Sequence, residues 1–254
     1  MSIKGTALLR LFIETYRKYG LERFLIYVFV NRRWPKWLFF YTRHTLLACK
    51  EVKISNSMRR RMDRSNVQIE EAALEDYGLI SRLWCQQDGC DCSLKKENLE
   101  KEHESGMRIF FSRDEEEVHG FIQIYKHSRK ISFLHGKGAT YISSSDRLGL
   151  FGYGLIAPEW RMKGLFLQLM SAIFQQNPNK VFFVTDISPL NLHSINSHRR
   201  IGFEEFIQIR YFLIFNVFPV WHVRTRSDSK WSIRKNLDLS QDMLEEAYSQ
   251  LKQA

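Results

Sequence analysis

The run Ile156-Ala157-Pro158-Glu159-Trp160-Arg161-Met162-Lys163-Gly164-Leu165-Phe166 has the residue types and order needed to hold a phosphate-like anion. Residues 150–156 are apolar and read as a strand, 158–164 as a tight turn, and 165–175 as a helix with its apolar residues on one side. The first turn of a helix carries N–H groups without intrahelical partners, and the helix dipole adds positive potential at the same place. An anion set before Leu165 would meet both. Gly164 has no Cβ and lets another group come close. Arg161 and Lys163 add charge. The ensemble suits a pyrophosphate.

A second ordered segment follows, Asn191-Leu192-His193-Ser194-Ile195-Asn196-Ser197-His198-Arg199-Arg200-Ile201-Gly202-Phe203. A strand at 181–185 precedes it, a short helix fills 192–200, and Gly202-Phe203 leads into the next strand. Together the two segments resemble the GNAT superfamily of acyl-CoA-dependent N-acyltransferases. The family's loop reads Arg/Gln-x-x-Gly-x-Gly/Ala after a strand. Arg161 and Gly164 fill the first two fixed positions, Pro158-Glu159 matches a frequent preface, and Phe166 stands where Gly or Ala is usual.

The resemblance covers roughly residues 66–218. It implies an α+β fold: a splayed, mixed central β-sheet flanked by helices, with a helical extension before it. It also implies acetyl-CoA, or another acyl-CoA, as co-substrate, no metal, and transfer to a primary amine by direct attack on the thioester. The pantetheine arm would enter between the strands ending near Ile156 and Thr185 and bond to the backbone of Leu155 and Ile156. A backbone N–H of that strand would hold the oxyanion. The pyrophosphate would rest on Arg161, Met162, Lys163, Gly164, Leu165 and Phe166, with Asn191 completing the cofactor site.

Proton transfer needs ionisable groups. Many family members have a Tyr four residues before the Gly of the second motif, where it protonates the departing thiolate. This sequence has His198 there; a histidine can donate a proton near neutral pH, its unperturbed pKa being about 6.5, and the competing reading is that it packs on the cofactor or caps a contact. The amine must lose a proton; Asp186, Glu204 and Glu205 are the candidate bases. Glu159 reads as part of the loop's framework, and His119 and His135 as surface residues.

The elements that must position these groups divide the chain in three. Residues 1–65 read as a basic, apolar helical extension ending in the polar linker 54–66. Residues 66–218 carry the transferase-like domain, and 219–254 a tail with a helix at 240–252. Within the central part, 67–69 reads as a strand, 74 onward and 95–104 as helices, 107–112 and 118–125 as strands, and 206–217 as one long strand or two. The connection 127–149 hides a further strand around 139–142.

Charge follows the same division. Residues 1–66 hold 15 Lys or Arg against 4 Asp or Glu, whereas the rest holds 23 against 24, so the basic character belongs to the N-terminal part. That asymmetry suggests an anionic partner. The apolar runs 24–30 and 37–41, interleaved with Arg and Trp, favour a membrane surface or a docking face over nucleic acid, and both are too short to cross a bilayer. Cys49, Cys85, Cys90 and Cys92 follow no secretory leader and fit no common zinc spacing, so free thiols in a cytoplasmic protein, peripheral at a membrane's inner face at most, are expected. A CoA-binding scaffold without catalysis is the rival reading.

Overall fold

A computed structural model of the chain describes residues 13, 16–17, 20–21, 39–65, 67–115, 117–126, 128–134, 138–143, 147–214, 218–226, 232–234, 237 and 239–253. In chain order the strands are β1 (Phe39–Cys49), β2 (Glu70–Glu71), β3 (Met107–Arg113), β4 (Val118–Tyr125), β5 (Ser128–Leu134), β6 (Gly138–Ser143), β7 (Leu148–Ile156), β8 (Phe182–Ile187), β9 (Glu204–Ile214), β10 (Phe218–Thr225) and β11 (Ser232–Arg234). The helices are α1 (Asn56–Ser65), α2 (Tyr77–Asp88), α3 (Cys92–Glu104), α4 (Leu165–Gln176), α5 (Leu192–Arg200) and α6 (Gln241–Gln253). Nine strands form one mixed sheet in the order β11-β10-β9-β1-β8-β7-β4-β3-β2, and β5 and β6 form a separate hairpin. This is the α+β class, a mixed central sheet flanked by helices, that the resemblance implies.

The sheet has a core on each face. Alternation along β4 sends Ile122 and Ile124 to one side and Phe121 to the other. On the first face, Phe151 and Phe183 pack against Leu165, Leu169 and Ile173 of α4 and Ile195 of α5. The opposite face is covered in two parts. Over β3 and β4 lie Ile80, Leu83 and Trp84 of α2 and Leu99 of α3. Over β1, β7, β8 and β9 lie Leu244, Ala247 and Tyr248 of α6 with Ile142 of β6. Tyr125 packs against both parts.

The largest departure from expectation is β1. Residues 39–49 were expected within a helical extension. They form a central strand, antiparallel to β8 on one side and to β9 on the other. The run Thr45-Leu46-Leu47-Ala48-Cys49 is buried on both faces of the sheet, and such strands read as continuous apolar runs without alternation. Tertiary pairing overrides the helical reading. Of the extension before β1, only Ile13, Tyr16, Arg17, Gly20 and Leu21 are described, and they are helical; the run 24–30 lies outside the described residues.

The expected linker 54–66 contains α1. Ser55 Oγ accepts the Met58 N–H at 3.3 Å, Met58 packs into the core beneath α4, and Arg59, Arg60 and Arg61 stay exposed. Residues 67–69 are irregular, and the short strand lies one step later in β2. The region 219–254 is no loose tail, because β10 and β11 widen the sheet and α6 covers it. The expected free thiols hold for Cys49 and Cys92, but Cys85 and Cys90 form a disulfide. The chain turns back at Gly89 after α2 and brings the two Cα atoms to 4.7 Å. No described helix is long and apolar enough to cross a membrane.

Leu46 is fully buried in β1. Leu46→Ala is expected to destabilise the protein by about 2–5 kcal/mol, read by urea denaturation. Loss of under about 0.5 kcal/mol would mean that β1 is a dispensable attachment.

Candidate active site

The site begins where β7 and β8 part. These parallel neighbours are in register only over Leu148↔Phe182, Gly149↔Phe183 and Leu150↔Val184. Beyond that point β7 continues for 151–156 and β8 for 185–187 without pairing to each other. A bulge accompanies the separation. Ile122 pairs with Gly154 and Ile124 with Phe151, so Gly152 and Tyr153 together oppose Gln123. Gln123 Oε1 accepts the Tyr153 N–H at 3.0 Å, and a Cβ on Gly152 would lie 2.7 Å from that of Gln123. Glycine there permits the bulge, and the bulge bends the free half of β7.

β7 leads directly into the turn 158–164. A 3-10 turn, Pro158–Trp160, follows Ala157, and α4 starts at Leu165. The first bond of the α4 ladder is Gln168 N–H to Gly164 O at 3.2 Å, so the amides of Leu165, Phe166 and Leu167 precede the ladder. Met162 adopts a φ of 65°, a left-handed conformation that costs an L-residue on the order of 1–2 kcal/mol. Arg161 folds back: Nε donates to Ile156 O and Nη2 to Gln87 Oε1, both at 3.2 Å. Its guanidinium braces the turn to α2. Lys163 lies with Nζ 4.8 Å from the centre of the Trp160 ring.

Gly164 has two reasons to be glycine. Its φ is 93°, and a Cβ there would lie 3.1 Å from the backbone of Arg61 and Met62 in α1. The close approach expected of a ligand is thus made by α1, which Gln168 Nε2 also holds through Met62 O at 2.8 Å.

His198 lies on the first face of the sheet, 9% exposed, with the Phe166 and Phe203 rings edge-on at 5.0 Å each. Phe166 and His198, the two departures from the family pattern, therefore touch. The ring's Nδ1 donates to Ser194 O at 2.8 Å, which leaves Nε2 as an acceptor. Burial pushes the His198 pKa down to about 4, only partly opposed by the Ser194 carbonyl. At neutral pH the ring has no proton to deliver from Nε2. A neutral, packed imidazole fits the alternative that His198 packs in place of donating a proton.

The candidate bases separate. Asp186 is opposite Leu46, which puts it on the face covered by α6, and its Oδ2 lies 3.6 Å from Nδ1 of His44. It belongs to the end of β8 that has parted from β7 and still pairs with β1. Glu204 and Glu205 begin β9, two strands away from β8, or roughly 10 Å at one strand spacing each. Glu204 is bonded to Arg226, and Glu205 to Arg199 and Gln208, around an open depression at the foot of β9. Neither reaches the gap. Asn191 caps α5, its Oδ1 accepting the Ser194 N–H at 3.1 Å. Leu155 packs beneath α2, and Ile156 beneath α4.

Sequence reading missed an aromatic wall. Tyr153 of the bulge stacks on Trp84 of α2 at 4.2 Å and 8°, Trp84 Nε1 donates to Asp88 at 2.7 Å, and Lys95 Nζ lies 3.1 Å from the Trp84 ring centre. Only the bulge brings Tyr153 there, and no spacing rule announces a bulge. His119, expected at the surface, is 7% exposed and stacks on Trp160. His135 lies outside the described residues.

No family model matches the sequence, and no curated protein matches it. Solved structures are similar over part of the chain. A conserved protein of unknown function from Staphylococcus epidermidis is 9% identical over 68% of this chain and 61% of its own, with a TM-score of 0.48. Aminoglycoside N-acetyltransferase AAC(6')-Iy in complex with CoA is 19% identical over 55% of this chain and 89% of its own, at 0.43. A GNAT-family acetyltransferase from Colwellia psychrerythraea is 9% identical over 66% and 53%, at 0.44. The chain thus spans less than two thirds of the first and third of these proteins.

The lowered His198 pKa has a signed consequence. The unfolded state, with a pKa near 6.5, binds a proton that the folded state refuses down to about 4. Its contribution to stability is complete above pH 6.5 and is lost as pH falls toward 4. Wild type is expected to lose a few kcal/mol from this group in that window. His198→Phe should flatten that part of the curve, measured by urea melts at stepped pH. Equal slopes in the two proteins would contradict the assignment.

Proposed function

We propose that the chain is an N-acyltransferase of GNAT type, moving an acetyl group from acetyl-CoA to a primary amine. The observation that carries the reading is the loss of pairing between β7 and β8 after Leu150 and Val184, directly before a turn that opens a helix. Unpaired strand edges offer backbone donors and acceptors to an extended ligand, as in β-strand addition. A pantetheine arm carries two amides and suits such a gap. Its diphosphate would rest on the amides of Gly164, Leu165 and Phe166, with Met162, Arg161 and Lys163 shaping and charging the turn. Leu155 and Ile156 would line the arm.

The acceptor would approach from the face that carries Tyr153 and Asp186. The amine attacks the thioester carbon, and a backbone N–H of β7 stabilises the oxyanion. Asp186, paired with His44, takes the amine's proton. The carbon–sulfur bond breaks, and CoA leaves as the thiolate, which takes a proton from water while protonated Asp186 returns its own to solvent. His198 and Phe166 form an aromatic floor and carry no proton. Asn191 acts through the cap that sets the start of α5.

A second reading has its own observation. Phe166 against His198 fills space beside the helix start, which suits a module that binds CoA and transfers nothing. Thiol release from acetyl-CoA with mixed amines separates the two, run beside calorimetry with CoA. Transfer predicts both binding and turnover; the idle module predicts binding alone. Arg161→Ala is expected to weaken CoA about tenfold. Asp186→Asn is expected to lower kcat about 100-fold or more, with KM for acetyl-CoA within about threefold. No heat with CoA would remove both readings, and full kcat in Asp186→Asn would remove the base.

A further inference from the structure

The turn 158–164 holds an uncommon backbone conformation at Met162 and Gly164. Something must hold it in that shape, and the side of the turn away from α1 shows what does. β3 and β4 form a hairpin whose tip is closed twice, by Asp114 N–H to Glu117 O at 3.1 Å and by Glu117 N–H to Asp114 Oδ1 at 2.9 Å. The second bond fixes the carboxylate of Asp114, and its other oxygen, Oδ2, lies 3.3 Å from Nε2 of His119. The opposite ring nitrogen, Nδ1, lies 3.3 Å from Ser112 Oγ. The imidazole is thus held at both ends, within the hairpin, and is almost wholly buried.

Ser112, His119 and Asp114 invite a nucleophilic reading, which burial excludes. Ser112 has no exposed surface, so its hydroxyl reaches no substrate. The ring's face does other work. Trp160 stacks on it with centroids 3.9 Å apart and planes 23° from parallel. The backbone of the same residue holds the beginning of the turn, because His119 O accepts the Ala157 N–H at 2.9 Å. Trp160 in turn has Lys163 Nζ 4.8 Å from its ring centre. One clamped histidine therefore contacts the turn at two points, at Ala157 through its backbone and at Trp160 through its ring. The brace from Gln87 to Arg161 acts separately, from α2.

We infer that His119 is a positioning residue of the anion-binding turn: its ring, clamped between Ser112 and Asp114, is the platform on which Trp160 stacks to fix the amides of 161–166 for a diphosphate. The ligand part rests on the CoA reading above. The positioning part rests on the stack itself. His119 touches no reacting atom, so its loss acts on cofactor affinity and leaves the chemical step alone.

The test keeps those two parts apart. Hydrogen exchange in the folded protein reads the turn without any ligand. His119→Ala and Trp160→Ala should each speed exchange of the hydrogen-bonded amides of Ala157, Trp160, Arg161 and Lys163 about tenfold, and the double variant should exchange no faster than either single one, because the pair acts as a unit. Trp160→Phe keeps both the stack and the clamped ring and should restore exchange to within about threefold of wild type, whereas His119→Phe keeps a ring without its clamp and should recover only part of the protection. With CoA in a calorimeter, the two alanine variants should bind about tenfold more weakly, Trp160→Phe close to normally and His119→Phe in between. With acetyl-CoA, KM should rise while kcat stays within about twofold. Unchanged exchange in His119→Ala, or additive effects in the double variant, would overturn the inference. A fall in kcat at constant KM would overturn it too. Wild-type protein that binds no CoA would sink the cofactor reading while the exchange data still decide what the platform does.

Discussion

A parallel pair of strands that stops pairing halfway is the constraint on which the rest depends. β7 and β8 are held together at Leu148–Leu150 by backbone bonds and by Leu148, Leu150, Phe182 and Val184 beneath α6. Past that point each strand keeps its other neighbour, β4 for β7 and β1 for β8, so neither collapses into the gap. An open edge inside a sheet leaves backbone groups that must find partners or water. The bulge opposite Gln123 turns the free half of β7 and presents Tyr153, and the turn after Ile156 brings a helix start to the same end. Gap and helix start together define a shape for a long ligand with an extended arm and an anionic end.

Phe166 and His198 show how two departures from a family's pattern can be one event. A bulky ring at the third fixed position of the loop needs a neighbour, and the imidazole in edge contact supplies it. Burial among Phe166, Phe203 and their neighbours takes the histidine from water and lowers its pKa. On the other face of the sheet, Asp186 and His44 meet where β8 has parted from β7 and still pairs with β1.

Legibility in the sequence followed the range of the interactions. The turn at 158–164, α4, α5 and the closing Gly202-Phe203 were readable because caps, apolar periodicity and glycine are local signals. α5 fell on 192–200 as expected. The place of β1 was not readable, since a strand buried on both faces has no alternation and its partners lie over 130 residues away at Phe183–Ile187 and beyond. Glu204 looked close to the site in sequence, but the insertion of β1 between β8 and β9 moves it one strand farther off. The role of Gly164 was half legible: its missing Cβ announced a close approach, while its φ of 93° and the helix that makes that approach, from a stretch that reads as a basic linker, were not legible. His119 gave no sign, because a stack on Trp160 across 41 positions leaves no local trace.

The central claim is that an extended cofactor arm adds itself between β7 and β8 with its diphosphate at the start of α4. A crystal structure of the protein with CoA tests it most directly. The account predicts arm amides bonded to the backbone between Phe151 and Ile156, and diphosphate oxygens within hydrogen-bond distance of the amides at Gly164, Leu165 and Phe166. CoA bound elsewhere, or a gap closed by continued pairing of the two strands beyond Leu150 and Val184, would contradict it.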